Sequence, residues 1–213
     1  LVLRERMAVP PGRAGEAYAG LKARWAGAEA VLLSTCNRVE LYVAADPLPE
    51  AKDLAAFLAA LQGVDAGALM PHAYALSGAE AVRHAVEVAC GLDALALGET
   101  EIPGQAKEAY CLALEHRAAG PVLHALFQQA FATAKRVHTE TSISRRKISV
   151  SSVAVDLAGR IFQDLPSRSA LVIGAGEMSA LTMKHLAAAG VTRLTVANRT
   201  LAHAEDLVRP YGG

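Results

Sequence analysis

The chain has 213 residues, 53% of them hydrophobic and 20% charged, which suits one large packed domain or two small ones and excludes general disorder. Its 21 lysines and arginines balance 21 acids, so bulk electrostatics excludes a general polyanion binder, and any nucleic-acid contact must come from a local patch. There is no run of about 18 apolar residues to span a membrane, no charged-then-apolar leader, and the three spaced cysteines (Cys36, Cys90, Cys111) fit a reducing cytoplasm better than a disulfide framework or metal cluster.

Residues 1–10 are expected as a strand stub ending at Pro10-Pro11-Gly12, and 13–26 as a short Ala-rich helix. Residues 31–43 then spell strand, polar tip, strand: Val31, Leu32 and Leu33 lead into Ser34-Thr35-Cys36-Asn37-Arg38, and Val39, Leu41 and Val43 alternate with Glu40 and Tyr42. A cysteine on such a tip can meet a substrate, with Thr35 and Asn37 as hydrogen-bond donors and Arg38 as a fixed cation. A nearby cation favours the nucleophilic thiolate, and a guanidinium can grip a carboxylate with two hydrogen bonds. By spacing alone, an ordinary loop cysteine beside a solvated arginine is the commoner outcome.

Residues 50–62 read as an amphipathic helix with Leu54, Phe57, Leu58 and Leu61 on one face. Residues 69–77 are a connector, with a short strand through Ala73-Tyr74-Ala75-Leu76. This order suggests an α+β first domain. Residues 78–90 form a helix with Ser77 or Gly78 as cap, His84 on it, and Ala81, Val82, Ala85, Val88 and Ala89 inward. A glycine-rich stretch, residues 91–105, follows. Its glycines permit close approach to a ligand, and Glu99 and Gln105 are polar groups it would present inward. Helices follow at 104–118 and 121–140, the second starting at Pro121, a favoured first-turn residue. Cys90 and Cys111 lie in apolar helical runs and read as buried.

Lys135, Arg136, Arg145, Arg146 and Lys147 make the one basic cluster, either a patch for nucleic-acid phosphates or a solvated linker face. Residues 149–163 read as a helix within a hinge. A buried strand, Ala170 to Ile173, then runs into Gly174-Ala175-Gly176 and a helix opening Glu177-Met178-Ser179, and Arg193 to Ala197 is the next strand. This is the start of a βαβ dinucleotide site with an incomplete glycine fingerprint, Ser179 standing for the third glycine. Gly174 would make the turn and Gly176 would admit the pyrophosphate to the helix N-terminus. The second strand ends in Asn198-Arg199-Thr200 instead of an acid, which favours the 2′-phosphate of NADP(H).

Four stretches together resemble the glutamyl-tRNA reductases. Ser34 to Tyr42 is similar to that family's cysteine signature. Gly91-Leu92-Asp93-Ala94, Gly98-Glu99-Thr100-Glu101 and Gly104-Gln105 are similar to its second, where Ala94 replaces a serine and Glu101 a glutamine. Loss of that hydroxyl removes a hydrogen bond of roughly 1 kcal/mol. Glu140 to Val150 resembles its third, with Arg146 at a glycine position, and Asn198-Arg199-Thr200 matches its nucleotide domain. The resemblance implies NADPH-dependent reduction of glutamyl-tRNA to glutamate-1-semialdehyde, the first step of five-carbon tetrapyrrole (porphyrin) synthesis, through a thioester on Cys36.

It further implies Arg38 on the glutamate side-chain carboxylate, and His84 polarising the carbonyl or assisting proton transfer. Substrate contacts are implied from Thr35, Asn37, Ala94, Glu99, Thr100, Glu101 and Gln105. The expected organisation is an α+β catalytic domain over 1–140, a linker helix over 141–165, and an incomplete α/β Rossmann-like NADP-binding domain over 166–213. Both ends are expected to be cut, with a C-terminal dimerisation domain missing. Expected partners are a second copy and a glutamate-1-semialdehyde aminomutase. Two alternatives stand beside this reading: another thioester-forming NADP-dependent acyl reductase, and an NADP-binding regulator in which Cys36 senses redox state.

Overall fold

The computed structural model describes residues 2–94, 97–99, 101–143 and 149–212. Contacts divide the chain into two units, residues 1–146 and 147–213. The first runs α1 (Val2–Met7), α2 (Ala14–Arg24), β1 (Glu29–Ser34), β2 (Val39–Ala44), α3 (Ala51–Leu61), α4 (Ala66–Leu69), α5 (Gly78–Ala89), α6 (Ile102–Glu115) and α7 (Pro121–Glu140). The two strands are antiparallel, paired from Glu29↔Ala44 to Ser34↔Val39, so Thr35 to Arg38 form the tip.

The apolar run of β1 is continuous because the strand is buried throughout its middle. Ala30, Val31, Leu32 and Leu33 share a core with Tyr18, Leu21, Ile102, Tyr110, Ala113, Leu123 and Phe127. Each fully buried large side chain contributes about 2 kcal/mol. Tyr18 keeps its one polar atom satisfied, since its hydroxyl accepts from the Leu32 N–H at 3.1 Å. Burial raises that phenol above its usual range, with the Leu32 bond opposing. Glu29, at the start of β1, accepts from the N–H groups of Val122 and Leu123 at 3.1 and 2.7 Å. It thereby caps the 20-residue α7 with a negative charge.

Several expectations change. Residues 2–7 are helix, not a strand stub, because Leu3 and Met7 lie one turn apart and pack with Ala59, Val64 and Leu69. No strand forms at 73–76: α4 and a 3-10 turn at Met70–His72 lead into extended chain with no described strand partner, and Tyr74 is 71% exposed. Val82 is exposed on α5, and Cys111 faces solvent on α6 instead of lying buried like Cys90. Both sit on the outer face, while Ala85, Val88 and Ala89 fill the inner face of α5 and Ile102, Ala106, Ala109, Tyr110 and Ala113 that of α6.

The second unit runs α8 (Val150–Ile161), β3 (Ser169–Ile173), α9 (Glu177–Ala188), β4 (Arg193–Ala197) and α10 (Leu201–Val208). Strands β3 and β4 are parallel, with Ile173 opposite Ala197. Val155, Val172, Met183, Leu186 and Val191 form its core. Ser149 and Ser152 close a reciprocal capping box at the start of α8. Helix α8 packs on α9, where the Thr182 hydroxyl donates to Ser151 Oγ at 2.8 Å. An α+β unit therefore precedes the start of an α/β nucleotide-binding unit. Among the described residues no single helix is long and apolar enough to cross a membrane.

Candidate active site

The register of the hairpin presents Cys36 at its crest, as an exposed free thiol. The tip is held by its own side chains. Thr35 N–H donates to the Arg38 carbonyl at 2.8 Å, and Thr35 Oγ1 accepts from the N–H groups of Asn37 and Arg38, both at 3.1 Å. This is the side-chain-to-backbone turn that threonine favours. Ser34 Oγ accepts from Val9 N–H at 2.9 Å, and Asn37 Oδ1 accepts from Arg4 Nη1 at 2.7 Å. The side-chain oxygens of Thr35 and Asn37, expected to serve the cysteine, thus hold the tip in shape.

Arg38 is paired, not solvated. Its Nη1 donates to Glu40 Oε1 at 2.9 Å and to Asp93 Oδ2 at 3.1 Å, and its Nη2 donates to the Asp93 carbonyl. Glu40 is the hub. Its Oε1 also meets His84 Nε2 at 3.1 Å, and its Oε2 accepts from the Tyr42 hydroxyl at 2.5 Å. A carboxylate can only accept, so His84 Nε2 carries the proton and Nδ1 is left, 3.7 Å from Asp93 Oδ2. Tyr74 stands edge-on to the His84 ring at 6.0 Å. The side chains of Arg38, Glu40 and His84 are 14 to 15% exposed, and that of Asp93 is 50% exposed.

Burial works against the Arg38 charge, but Glu40 and Asp93 outweigh it and hold the guanidinium above its usual range. Burial, then the charge and hydrogen bond of Glu40, push the Tyr42 phenol far up, with Arg38 opposing. Burial and then Glu40 and Asp93 also raise Tyr74. Donor atoms of Glu40, His84 and Asp93 lie within 4.8 Å of one another, the spacing of a metal triad. Arg38 Nη1 already bridges both carboxylates and supplies the positive charge a cation would bring.

Strand alternation could have found Glu40, because positions 40 and 42 share one face of β2 and Arg38 immediately precedes that strand. Asp93 lies in the glycine-rich signature but carries no signal of its own, and Tyr74 fell on a strand that does not form.

The loop after α5 is shaped by two glycines. Gly91 and Gly98 have φ of +71° and +78°, and Gly98 N–H donates to the Gly91 carbonyl at 2.8 Å. A Cβ on Gly98 would lie 2.7 Å from the Ile143 carbonyl oxygen, so this position also needs glycine for close approach. Ala94 packs its methyl on the core beneath the loop. Glu99 stands against the Gly91 backbone. Glu101 is the N-cap residue of α6, and Gln105 lies on its first turn with its N–H bonded to the Glu101 carbonyl at 3.0 Å. Glu101 and Gln105 thus lie at the junction of loop and helix. Thr100 lies outside the described residues, as do Arg145, Arg146 and Lys147 of the basic cluster. Of that cluster, Lys135 and Arg136 are on α7, and Arg136 pairs with Glu140 at 3.1 Å.

In the second unit, Gly174 has φ of +102° and its N–H donates to the Ala197 carbonyl at 2.8 Å. A Cβ there would meet Ser179 Oγ at 3.6 Å, so serine at the third glycine position leaves the turn room. Gly176 is the extended N-cap of α9, with nothing within 4 Å of a built Cβ. This backbone leaves space for a pyrophosphate on the N–H groups of Glu177, Met178 and Ser179. Ala175 lies between the two glycines. At the end of β4, Asn198 Nδ2 donates to the Thr200 carbonyl at 2.9 Å and Arg199 is exposed. The donor set fits NADP(H): an open glycine turn, a helix N-terminus, and a cation where NAD sites carry an acid.

Residues 1–141 match the family model described as the glutamyl-tRNAGlu reductase N-terminal domain, and residues 156–213 match that of shikimate/quinate 5-dehydrogenase. The glutamyl-tRNA reductase of Marinobacter nauticus is 45% identical, over 99% of this chain and 49% of that protein. That of Rubrobacter xylanophilus is 46% identical, over 99% and 49%. The solved structure of glutamyl-tRNA reductase from Methanopyrus kandleri gives a TM-score of 0.60 at 37% identity, covering 98% of this chain and 49% of that one. The chain spans about half the length of the relatives it matches. Its first 141 residues and its hairpin, loop and βαβ geometry make this chain a member of the glutamyl-tRNA reductase family.

Proposed function

We propose that this chain carries the catalytic unit, and the start of the cofactor unit, of an enzyme that reduces glutamyl-tRNA to glutamate-1-semialdehyde with NADPH. The observation that carries the reading is an exposed free thiol, Cys36, two residues from an arginine whose hub also holds His84.

The Cys36 thiolate attacks the ester carbonyl of the glutamyl group. A thioester bond forms, the ester C–O bond breaks, and the tRNA hydroxyl leaves with a proton. Arg38 holds the side-chain carboxylate of the glutamyl group, and glutamine would leave it poorly paired. His84, anchored through Nε2, exchanges a proton at Nδ1. Forming the thioester splits one hard step into two easier ones. NADPH, when bound, supplies the hydride that takes the thioester to the aldehyde level. Gly174, Gly176 and the first turn of α9 would hold its pyrophosphate, and Arg199 would hold its 2′-phosphate.

Residues 1–140 serve as the catalytic domain and 166–213 as part of the NADP-binding domain. The protein works as a homodimer in a reducing cytoplasm, which keeps Cys36 free, and hands its labile aldehyde to an aminomutase.

The test mixes the protein with glutamyl-tRNA in the absence of NADPH. Mass spectrometry should find one glutamyl group on the Cys36 peptide, removed on adding NADPH. Intact charged tRNA with no adduct would refute the thioester route and favour a redox-sensing role for Cys36.

A further inference from the structure

Arg38 presents its Nη1 and Nη2 edge to Asp93, which meets it with both a carboxylate oxygen and its backbone carbonyl, while Nη1 is shared with Glu40. A guanidinium edge grips a carboxylate through the same pair of nitrogens. The edge that the reading above assigns to the substrate is therefore already covered.

The two carboxylates on Arg38 are not alike. Glu40 is 15% exposed and has three partners, Arg38, His84 and Tyr42. Displacing it would strand two donors, a large cost for buried groups. Asp93 is 50% exposed, and its carboxylate has one hydrogen-bond partner among the described residues, Arg38. It sits two residues after Gly91, on a turn set by positive-φ glycines at 91 and 98. Keeping Asp93 in place while a third carboxylate arrived would crowd two acids and the newcomer around one cation. Like-charge crowding of this kind opposes binding.

We propose that Asp93 is an internal stand-in for the substrate's carboxylate: it occupies Arg38 in the free protein and is exchanged for the side-chain carboxylate of the glutamyl group on binding. This rests on the assignment of Arg38 to that carboxylate. Asp93 acts through Arg38, as a positioning residue. It keeps the guanidinium paired and aimed while the site is empty, and it sets a threshold that a neutral side chain cannot pass, because a neutral ligand offers nothing to replace the released ion pair.

The test uses the protein carrying these residues with two small acyl donors, the α-thiobenzyl esters of glutamic acid and of glutamine. Attack by Cys36 forms a new thioester bond and breaks the bond to benzylthiolate, which takes up the Cys36 proton. Adduct formation at Cys36 is followed by mass spectrometry against donor concentration. Asp93→Asn should lower the half-saturating concentration of the glutamate donor about fivefold, the scale of a partly exposed ion pair. The limiting rate should stay within about twofold, and the glutamine donor, which no longer has an internal ion pair to break, should gain as well. Asp93→Glu, which restores an acid, should return the constant toward the unsubstituted value. If Asp93→Asn lowers the thermal midpoint, Asp93→Ser repeats the comparison with the backbone contact kept.

An unchanged or higher constant in the acid-free variants, with the unsubstituted protein still preferring glutamate, overturns the stand-in role alone. Equal use of both donors by the unsubstituted protein overturns the Arg38 assignment and the stand-in role with it.

Discussion

Glu40 ties the site together, and its replacement tests the hub directly. Its two oxygens accept from Arg38 at 2.9 Å, His84 at 3.1 Å and Tyr42 at 2.5 Å, in a side chain only 15% exposed. Glu40→Gln keeps the shape. The amide oxygen can face Arg38 and His84, and the amide N–H can donate to a reversed Tyr42 hydroxyl. What is lost is the charge, leaving Arg38 with Asp93 as its acid. Hydrogen bonds to charged groups are worth about 1.5 to 3 kcal/mol, and this one is replaced by a neutral bond, so the net cost should be about 1 to 2 kcal/mol. Glu40→Ala strands two donors as well and should cost about 3 kcal/mol. Urea unfolding read by circular dichroism gives both values. Cys36 acylation by glutamyl-tRNA should fall about tenfold in Glu40→Gln, which keeps the His84 contact without its charge, and about a hundredfold in Glu40→Ala, which loses the His84 anchor. If Glu40→Ala matched the unsubstituted protein in stability and acylation, the three contacts would carry no weight and the hub would be refuted.

Other perturbations separate the remaining parts. Glu29→Ala removes the acceptor for two N–H groups of α7 and should cost about 2 kcal/mol, while a midpoint in urea that does not move would count against the cap. Gly98→Ala forces a side chain into φ of +78° and to 2.7 Å from the Ile143 carbonyl, so about 2 kcal/mol or more should be lost, and a neutral result would contradict the close packing. Arg199→Glu should weaken NADPH about tenfold or more while sparing NADH, measured as the ratio of their binding constants; equal weakening would place the 2′-phosphate elsewhere. The Tyr42 phenol is raised by burial and by Glu40, so the folded state holds that proton more tightly. The stability this adds is complete below the ordinary tyrosine value of about 10 and is lost as pH rises beyond it. Tyr42→Phe should cost about 1 kcal/mol at neutral pH and flatten the alkaline fall, and an equally steep fall would exclude Tyr42 as its source.

The legible parts of this chain were those fixed by local pattern. The apolar run at 31–33 and the alternation at 39–43 give a hairpin whose tip falls on Cys36, because a register error of one residue would turn the buried face outward. Gly174 and Gly176 announce a strand–turn–helix through backbone needs that few other residues meet. Failures came where a distant partner decides the outcome. Residues 73–76 alternate like a strand but have no strand beside them among the described residues, and strand hydrogen bonds need one. Leu3 and Met7 make a helical face only because α3 and α4 bring a small apolar cluster to them.

The same limit applies with more consequence to charge. Read along the chain, Arg38 is a cation waiting for a ligand. Folding brings Asp93, 55 residues away, onto the edge that a ligand would use. No local pattern announces that contact, since it depends on hairpin, α5 and the glycine turn together. An arginine already paired cannot simply capture a carboxylate, since the gain from the new pair is offset by loss of the old one. Affinity for the acid then falls, while discrimination is retained, because a neutral competitor must break the internal pair and offers no charge in return. For the proposed role of selecting one carboxylate-bearing acyl group, that difference in binding is the quantity that matters.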